Sequence, residues 1–146
     1  LDNNTTFSSI ISAAWKLNES IPHHIVNNIK KVSGNLFNKK ITVLGLSFKA
    51  GSDDLRSSPS VKLVELLKGL GALVQVHDLH VKTSLSLTDS LDSADIVIIA
   101  TNHKEFKEKV NEINQSGAKM VYDVWSMFDD KDFPGMKYYR FGRGFS

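Results

Sequence analysis

From Gly45 to Pro59 the chain reads Gly-Leu-Ser-Phe-Lys-Ala-Gly-Ser-Asp-Asp-Leu-Arg-Ser-Ser-Pro, and this stretch holds the residues best suited to bind an anion. Lys49 offers a mobile positive charge, and Arg56 presents a planar fork that matches phosphate oxygens. Gly45 and Gly51 permit close backbone approach. A helix starting near Ser58 would add free N–H donors and the positive end of its dipole. The chemistry implied is capture of a phosphate or diphosphate. A second reading stands beside it: loops between a strand and a helix are often rich in Gly, Ser and Asp for turn geometry, and Arg56 can pair with Asp53 or Asp54 on the surface. The glycines do not form G-x-G-x-x-G, and the loop lacks the Lys-Ser or Lys-Thr pair that ends a P-loop.

Other reactive groups are scattered. His77 and His80 flank Asp78, and His23 adjoins His24. Neighbouring helical residues point about 100° apart and no third ligand falls in register, so no metal site is expected. Asp78 stands where dinucleotide folds keep a ribose-binding acid, but without the glycine fingerprint it is expected to cap a turn. With no cysteine, the chain can form neither a disulfide nor a thiolate metal site, and it has no thiol nucleophile. The aromatic residues Phe128, Phe133, Tyr138, Tyr139, Phe141 and Phe145 are expected to pack in a core or dock a domain, since the charges around them are of both signs.

Helices and strands in alternation must position these groups. Phe7, Ile10, Ile11 and Ala14 share a helical face behind Thr5 or Thr6 as cap, and Ile21, Ile25, Ile29 and Val32 form a second series. Pro22 predicts a break or kink between them, over residues 19–22. Ile41 to Leu44 reads as a first buried strand. Ser58-Pro59 caps and opens a helix along Leu63, Leu66, Leu67 and Leu70 that Gly71 stops. Further strands are expected at residues 73–77, 95–100, 120–122 and 138–141, with a turn of helix near residues 88–91 and a helix marked by Phe106, Val110 and Ile113. The fold class predicted is α/β, a doubly wound, Rossmann-like parallel sheet of about five strands preceded by an N-terminal helical segment. Such sheets bind ligands beyond the carboxyl ends of their strands.

A chain of 146 residues, 41% hydrophobic and 23% charged, is sufficient for one compact core. Its net charge of +2 comes without a run of Lys or Arg, so nucleic acid is not expected as a partner. The longest apolar stretch, Ile96 to Ala100, is far short of the roughly 20 residues that cross a bilayer, and the polar start is no signal peptide. No membrane partner and a cytoplasmic location are expected. Opening on Leu1 rather than Met, the chain is expected to have its true N-terminus elsewhere.

Val43-Leu44-Gly45-Leu46-Ser47-Phe48-Lys49 followed by Asp53-Asp54-Leu55-Arg56-Ser57-Ser58-Pro59 resembles the opening of the C-terminal domain of the UDP-glucose/GDP-mannose dehydrogenase family. Ala13-Ala14, Asn18-Glu19 and Pro22 are similar to the end of that family's central, dimer-forming domain. Gly71-Ala72, Asp78, Ala94-Asp95, Thr101-Asn102-His103, Glu105-Phe106 and Val121-Tyr122-Asp123 extend the resemblance along nearly the whole chain.

The resemblance implies a helical segment over residues 1–35 and a UDP-binding domain over residues 36–146 of a longer enzyme. That enzyme would use NAD to oxidise a UDP-hexose to the uronic acid for polysaccharide biosynthesis, as a homodimer. It assigns substrate contact to Phe48 and Lys49 and places Arg56 toward NAD held by another domain. Catalytic residues are expected to lie outside this chain, which alone should be inactive. UDP-N-acetylmannosamine is the first expectation for the sugar, with UDP-glucose and UDP-N-acetylglucosamine as alternatives. Many family members carry an Arg shortly after the acid of the fourth strand, whereas Val124-Trp125-Ser126 follows Asp123 here. Trp125 either stacks on a uracil or packs half-buried on the Met127-Phe128 turn. The alternative function is a non-catalytic doubly wound interaction or signalling module.

Overall fold

A computed structural model describes residues 3–82 and 84–142; within the first helix it describes side chains from Ser8 onward, except those of residues 14, 15, 17 and 18. Helix α1 (Asn3–Ser33) starts ahead of Thr5 and Thr6, so neither is its cap. It also runs through Pro22 without the predicted break. Proline removes one helical hydrogen bond, but the turns after it are held by packing: Ile25, Val26 and Ile29 are buried against the sheet, with Ile21 and Val32 beside them.

Five strands follow: β1 (Lys40–Leu44), β2 (Leu73–His77), β3 (Ile96–Ile99), β4 (Met120–Asp123) and β5 (Lys137–Arg140). They form one sheet in the order β2-β1-β3-β4-β5, and every pairing is parallel. The expected fifth strand is present, starting one residue earlier than predicted. Helix α2 (Pro59–Gly69) crosses from β1 to β2. The short α3 (Leu87–Leu91) leads to β3, and a 3-10 turn (Lys104–Lys109) running into α4 (Val110–Gln115) leads to β4.

Strand residues alternate between two cores, as a pleated sheet requires. Ile41, Val43, Ile96, Ile98, Met120 and Tyr122 join α1 and α2 on one face. Leu44, Val97, Ile99 and Val121 join Phe106, Ile113, Phe128 and Phe133 on the other. Tyr122 ties α1 to the sheet, because its hydroxyl accepts from Asn28 Nδ2 at 3.0 Å. Burial there pushes the phenol pKa up, against the opposing effect of that donor. Phe128, Phe133 and Tyr138 pack ring to ring, with centroids 5.2 and 5.5 Å apart, and so form the core packing expected of that cluster; Phe145 lies outside the described residues.

Helix α2 has the ends its sequence specifies. Ser58 caps it by accepting from Ser60 N, with Pro59 in the first turn. At the other end Ala72 N bonds Leu67 O and Gly71 N bonds Lys68 O, with Gly71 at φ +80°. Residue pairing aligns Leu44, His77, Ile99 and Asp123 along one edge of the sheet. The strand order reverses between β1 and β3, so the loops leaving these two strands meet there.

Candidate functional site at the carboxyl edge of the sheet

The chain leaves β1 through Gly45, whose φ of +97° and tight contact leave no room for a side chain: a Cβ there would lie 2.4 Å from Thr101 Cβ. Thr101, just past β3, donates its hydroxyl to Ser47 O at 3.1 Å. Ser58 Oγ donates to Leu46 O at 2.6 Å. The N–H groups of Leu46 and Ser47 both go to Asp78 Oδ2, at 2.7 and 3.1 Å. The base of the loop is therefore tied to β2, β3 and the start of α2 at once.

Asp78 is 2% exposed and also accepts from His80 N at Oδ1 and from His103 Nε2 at Oδ2. Burial pushes this carboxyl up, but the N–H groups of Leu46 and His80, the His103 ring and the Ser47 N–H outweigh it and hold the pKa below the ordinary value. Turn-making was expected of Asp78, and it does that and more, clamping a loop from another strand.

The tip of the loop is open. Phe48 N bonds Asp54 O at 2.8 Å, closing the segment on itself, while Phe48, Lys49 and Ala50 are exposed. Arg56 makes a two-pronged pair with Asp54, Nε to Oδ1 and an Nη to Oδ2, both at 3.0 Å. The Arg56 guanidinium, with the Arg56 N–H and a smaller field from Lys49, holds the Asp54 carboxyl down at about 2. This is the surface pairing the sequence allowed, and the Arg56 side chain is 90% exposed.

An apolar cleft of about 320 Å³ opens beside this loop, lined by Phe48, Pro59, Ser60 and Leu63, by Ala100 and Val124 at the ends of β3 and β4, and by Ile21, Ile25, Trp125 and Phe141. Trp125 is 49% exposed and lines this cleft, its indole N–H bonded to Ala100 O at 3.0 Å. A wider, more polar depression next to it is lined by Phe48, Arg56 and residues of α2. Phe48 thus belongs to both hollows and Arg56 to one; Lys49 lines neither.

Two further features test the cofactor and metal readings. The acid at the end of β2 has both oxygens engaged by protein donors and no glycine fingerprint precedes α2, so these residues do not form a cradle for the NAD ribose. Atoms of His80, His103 and Glu105 lie within 4.8 Å of one another. His103, however, spends both nitrogens on the protein, accepting from Gly51 N at Nδ1 and facing Asp78 and Ser47 with Nε2. It has no lone pair left for a metal. His77 Nδ1 is likewise engaged, with Leu85 O at 2.7 Å.

Sequence reasoning singled out Phe48, Lys49 and Arg56 but missed Ser47, Thr101 and His103 as the scaffold beneath them. The available signal was a Thr-x-His group directly after the central strand, where side chains reach the ligand edge.

Strand order and loop placement define a doubly wound α/β domain with a cleft at the switch point between β1 and β3. The UDP binding domain of the UDP-glucose/GDP-mannose dehydrogenase family matches residues 42–130, and the chain belongs to that family. It is 31% identical to a UDP-glucose 6-dehydrogenase of Rickettsia felis, over 97% of this chain and 36% of the relative. It is 32% identical to a UDP-N-acetyl-D-mannosamine dehydrogenase of Methanococcus vannielii, over 80% of this chain and 29% of that one. The solved UDP-D-ManNAc dehydrogenase of Pyrococcus horikoshii superposes with a TM-score of 0.76 at 31% identity, over 88% of this chain and 32% of that structure. The chain thus spans about a third of the length of these relatives. None of these matches supports a signalling or interaction module. Among the described residues, no helix is long and apolar enough to cross a membrane.

Proposed function

We propose that this chain is the UDP-sugar-binding part of a longer NAD-dependent nucleotide-sugar 6-dehydrogenase, which converts a UDP-hexose to its uronic acid for polysaccharide biosynthesis. The observation that carries the reading is Phe48, which stands on the loop of the family's motif and lines an apolar cleft at the switch point of the sheet. Trp125 shares that cleft and offers a flat apolar surface for a uracil. Lys49, exposed beside Phe48 on the same loop, neutralises diphosphate charge. Arg56 leaves its exposed partner Asp54 to reach NAD held by another domain.

Taking an alcohol to a carboxylate removes four electrons, hence two NAD per turnover; the contribution of this chain is to bind and orient the nucleotide end of the substrate. Residues 1–35 complete a central dimerisation domain, residues 36–146 bind UDP, and the enzyme works in the cytoplasm as a homodimer. UDP-N-acetylmannosamine is the preferred sugar nucleotide.

Calorimetry of the chain with UDP is the direct test. Weak binding is expected, with Kd of roughly 0.1–1 mM, because only one wall of the substrate cleft is present. Lys49→Glu should abolish it. A folded chain that gives no heat with any uridine nucleotide at millimolar concentration would overturn the proposal.

A further inference from the structure

We propose that His103 is a positioning residue: its fully buried ring staples the two ends of the segment Ser47 to Gly51 and so sets where Phe48 and Lys49 stand. This rests on the nucleotide-binding reading above for its consequence, but its geometry is independent of it.

Between Ser47 and Gly51 the loop exposes three consecutive residues, and it would have to be ordered at the expense of binding if nothing held it beforehand. The His103 ring touches both ends. Nδ1 accepts from Gly51 N at 3.0 Å, while Nε2 lies 3.1 Å from Ser47 Oγ and 3.0 Å from Asp78 Oδ2. Because Nδ1 accepts, a neutral ring carries its proton on Nε2, directed at Asp78 and Ser47. The Ser47 hydroxyl is then free to donate onward to Lys49 O, at 3.1 Å. One imidazole therefore links the carboxylate at the end of β2 to the Ser47 hydroxyl on one side of Phe48 and Lys49 and to the Gly51 N–H on the other. Its plane is fixed by Phe106, edge-on with centroids 5.5 Å apart, and by His80 at 4.7 Å. A buried histidine that serves only the core has no need to bond an exposed loop at two points four residues apart.

Two substitutions divide the staple. In His103→Gln the side-chain amide reaches the position of Nε2 and keeps a donor for Asp78, but leaves Gly51 N without an acceptor. In His103→Asn the amide oxygen stands near Nδ1 and keeps the Gly51 bond, at the cost of the link to Asp78. Amide hydrogen exchange and UDP calorimetry would be measured on the full chain and both variants, with melting temperatures alongside. We expect the His103→Gln variant to exchange the Gly51 amide at least tenfold faster and to bind UDP roughly tenfold more weakly. His103→Asn should keep most of the protection at Gly51 and lose affinity only two- to threefold, by the same hydrogen-bond magnitudes. A role in packing alone would move both variants together with their melting temperatures.

Unchanged exchange at Gly51 in His103→Gln, or unchanged UDP affinity despite faster exchange, would overturn the inference. If His103→Gln does not fold, Ser47→Ala removes the other end of the staple and should likewise release the Lys49 segment; retained protection there would count as failure. Absence of UDP binding in the unsubstituted chain would instead sink the proposed function, leaving the exchange measurements to decide the staple.

Discussion

Asp78 and Asp123 stand at the ends of β2 and β4, both buried, and both spend their oxygens on loop atoms, yet the loops they hold differ in kind. Asp123 accepts from Trp125 N and Phe128 N, each at 3.1 Å, and from the Tyr138 hydroxyl at 2.6 Å. Its partners come from the loop directly after it and from the adjacent strand β5, reinforced by Arg140, which bonds Tyr138 Oη, Phe128 O and Asp129. Asp78 instead holds a loop that begins at another strand and carries the exposed Phe48 and Lys49. One carboxylate finishes the local path of the chain; the other fixes the loop after β1 from the side. The difference teaches that equal burial and equal chemistry at a strand end do not imply equal function: what matters is whose backbone the acid holds.

The sharpest way to break the comparison is to remove one acceptor from each. In Asp78→Asn the oxygen can still serve Leu46, Ser47 and His103, but the new NH₂ then faces the His80 N–H, donor against donor. Loss of about 3 kcal/mol of unfolding free energy is expected from an unsatisfied buried group and weakened charge-assisted bonds. Asp123→Asn sets its NH₂ against the Trp125 N–H and should cost about 2 kcal/mol, having fewer donors to fail. Denaturant unfolding measures both. Only Asp78→Asn should also speed amide exchange at Leu46 and Ser47; equal acceleration in the two variants would erase the distinction.

The two clamps should also fail at opposite ends of the pH scale. The folded pKa of Asp78 is depressed, so its contribution is present above the unfolded value of about 4 and is lost as pH falls below it. Tyr138 behaves in the reverse sense. Burial, with the Asp123 carboxylate as a further cause, raises its phenol pKa, so its contribution is present below about 10 and is lost at higher pH. Thermal melts of the wild type should therefore fall at both extremes. Asp78→Asn should flatten the acid limb and Tyr138→Phe the alkaline one, each leaving the other limb in place.

Much of this framework was legible in the sequence. The buried runs Ile41 to Leu44 and Ile96 to Ile99 announce parallel strands because both of their faces are apolar, and Ser58-Pro59 and Gly71 mark the ends of α2 by backbone requirements that few residues meet. Pro22 does not break the helix, since the lost hydrogen bond is a local effect while the burial of Ile25, Val26 and Ile29 is a tertiary one. The site divides in the same way. Phe48, Lys49 and Arg56 were visible as residue types in a loop of recognisable pattern. His103 was visible only as a member of the Thr-x-His group after β3; its role was not, because that lies in contacts with Ser47 and Gly51, more than fifty residues away, that no local spacing encodes. Trp125 was read as half-buried on a turn or as a base-stacking ring; it is half-exposed and lines the cleft, anchored through Ala100 O, a contact made across strands. Of the helical face expected from Phe7, Ile10, Ile11 and Ala14, the described side chains are those of Ile10 and Ile11, which are 61% and 55% exposed.

The smallest effect is expected where the sequence offered its most obvious charge. Arg56 and Asp54 form a well-shaped pair, but the guanidinium is 90% exposed, and solvent and salt screen such pairs until little net stabilisation remains. Arg56→Ala should leave the melting temperature and UDP affinity of this chain unchanged. What it should move is the Asp54 carboxyl, now held at about 2, upward toward its ordinary range. The rise should be incomplete, because the backbone N–H at position 56 still donates to Asp54 Oδ1 at 3.0 Å after the side chain is gone. An NMR titration of Asp54 reads this directly. A melting temperature that dropped with Arg56→Ala would mean that the exposed tip, and not only the clamped base, holds the loop in place, and the division of labour between Asp78 and the surface pair would have to be redrawn.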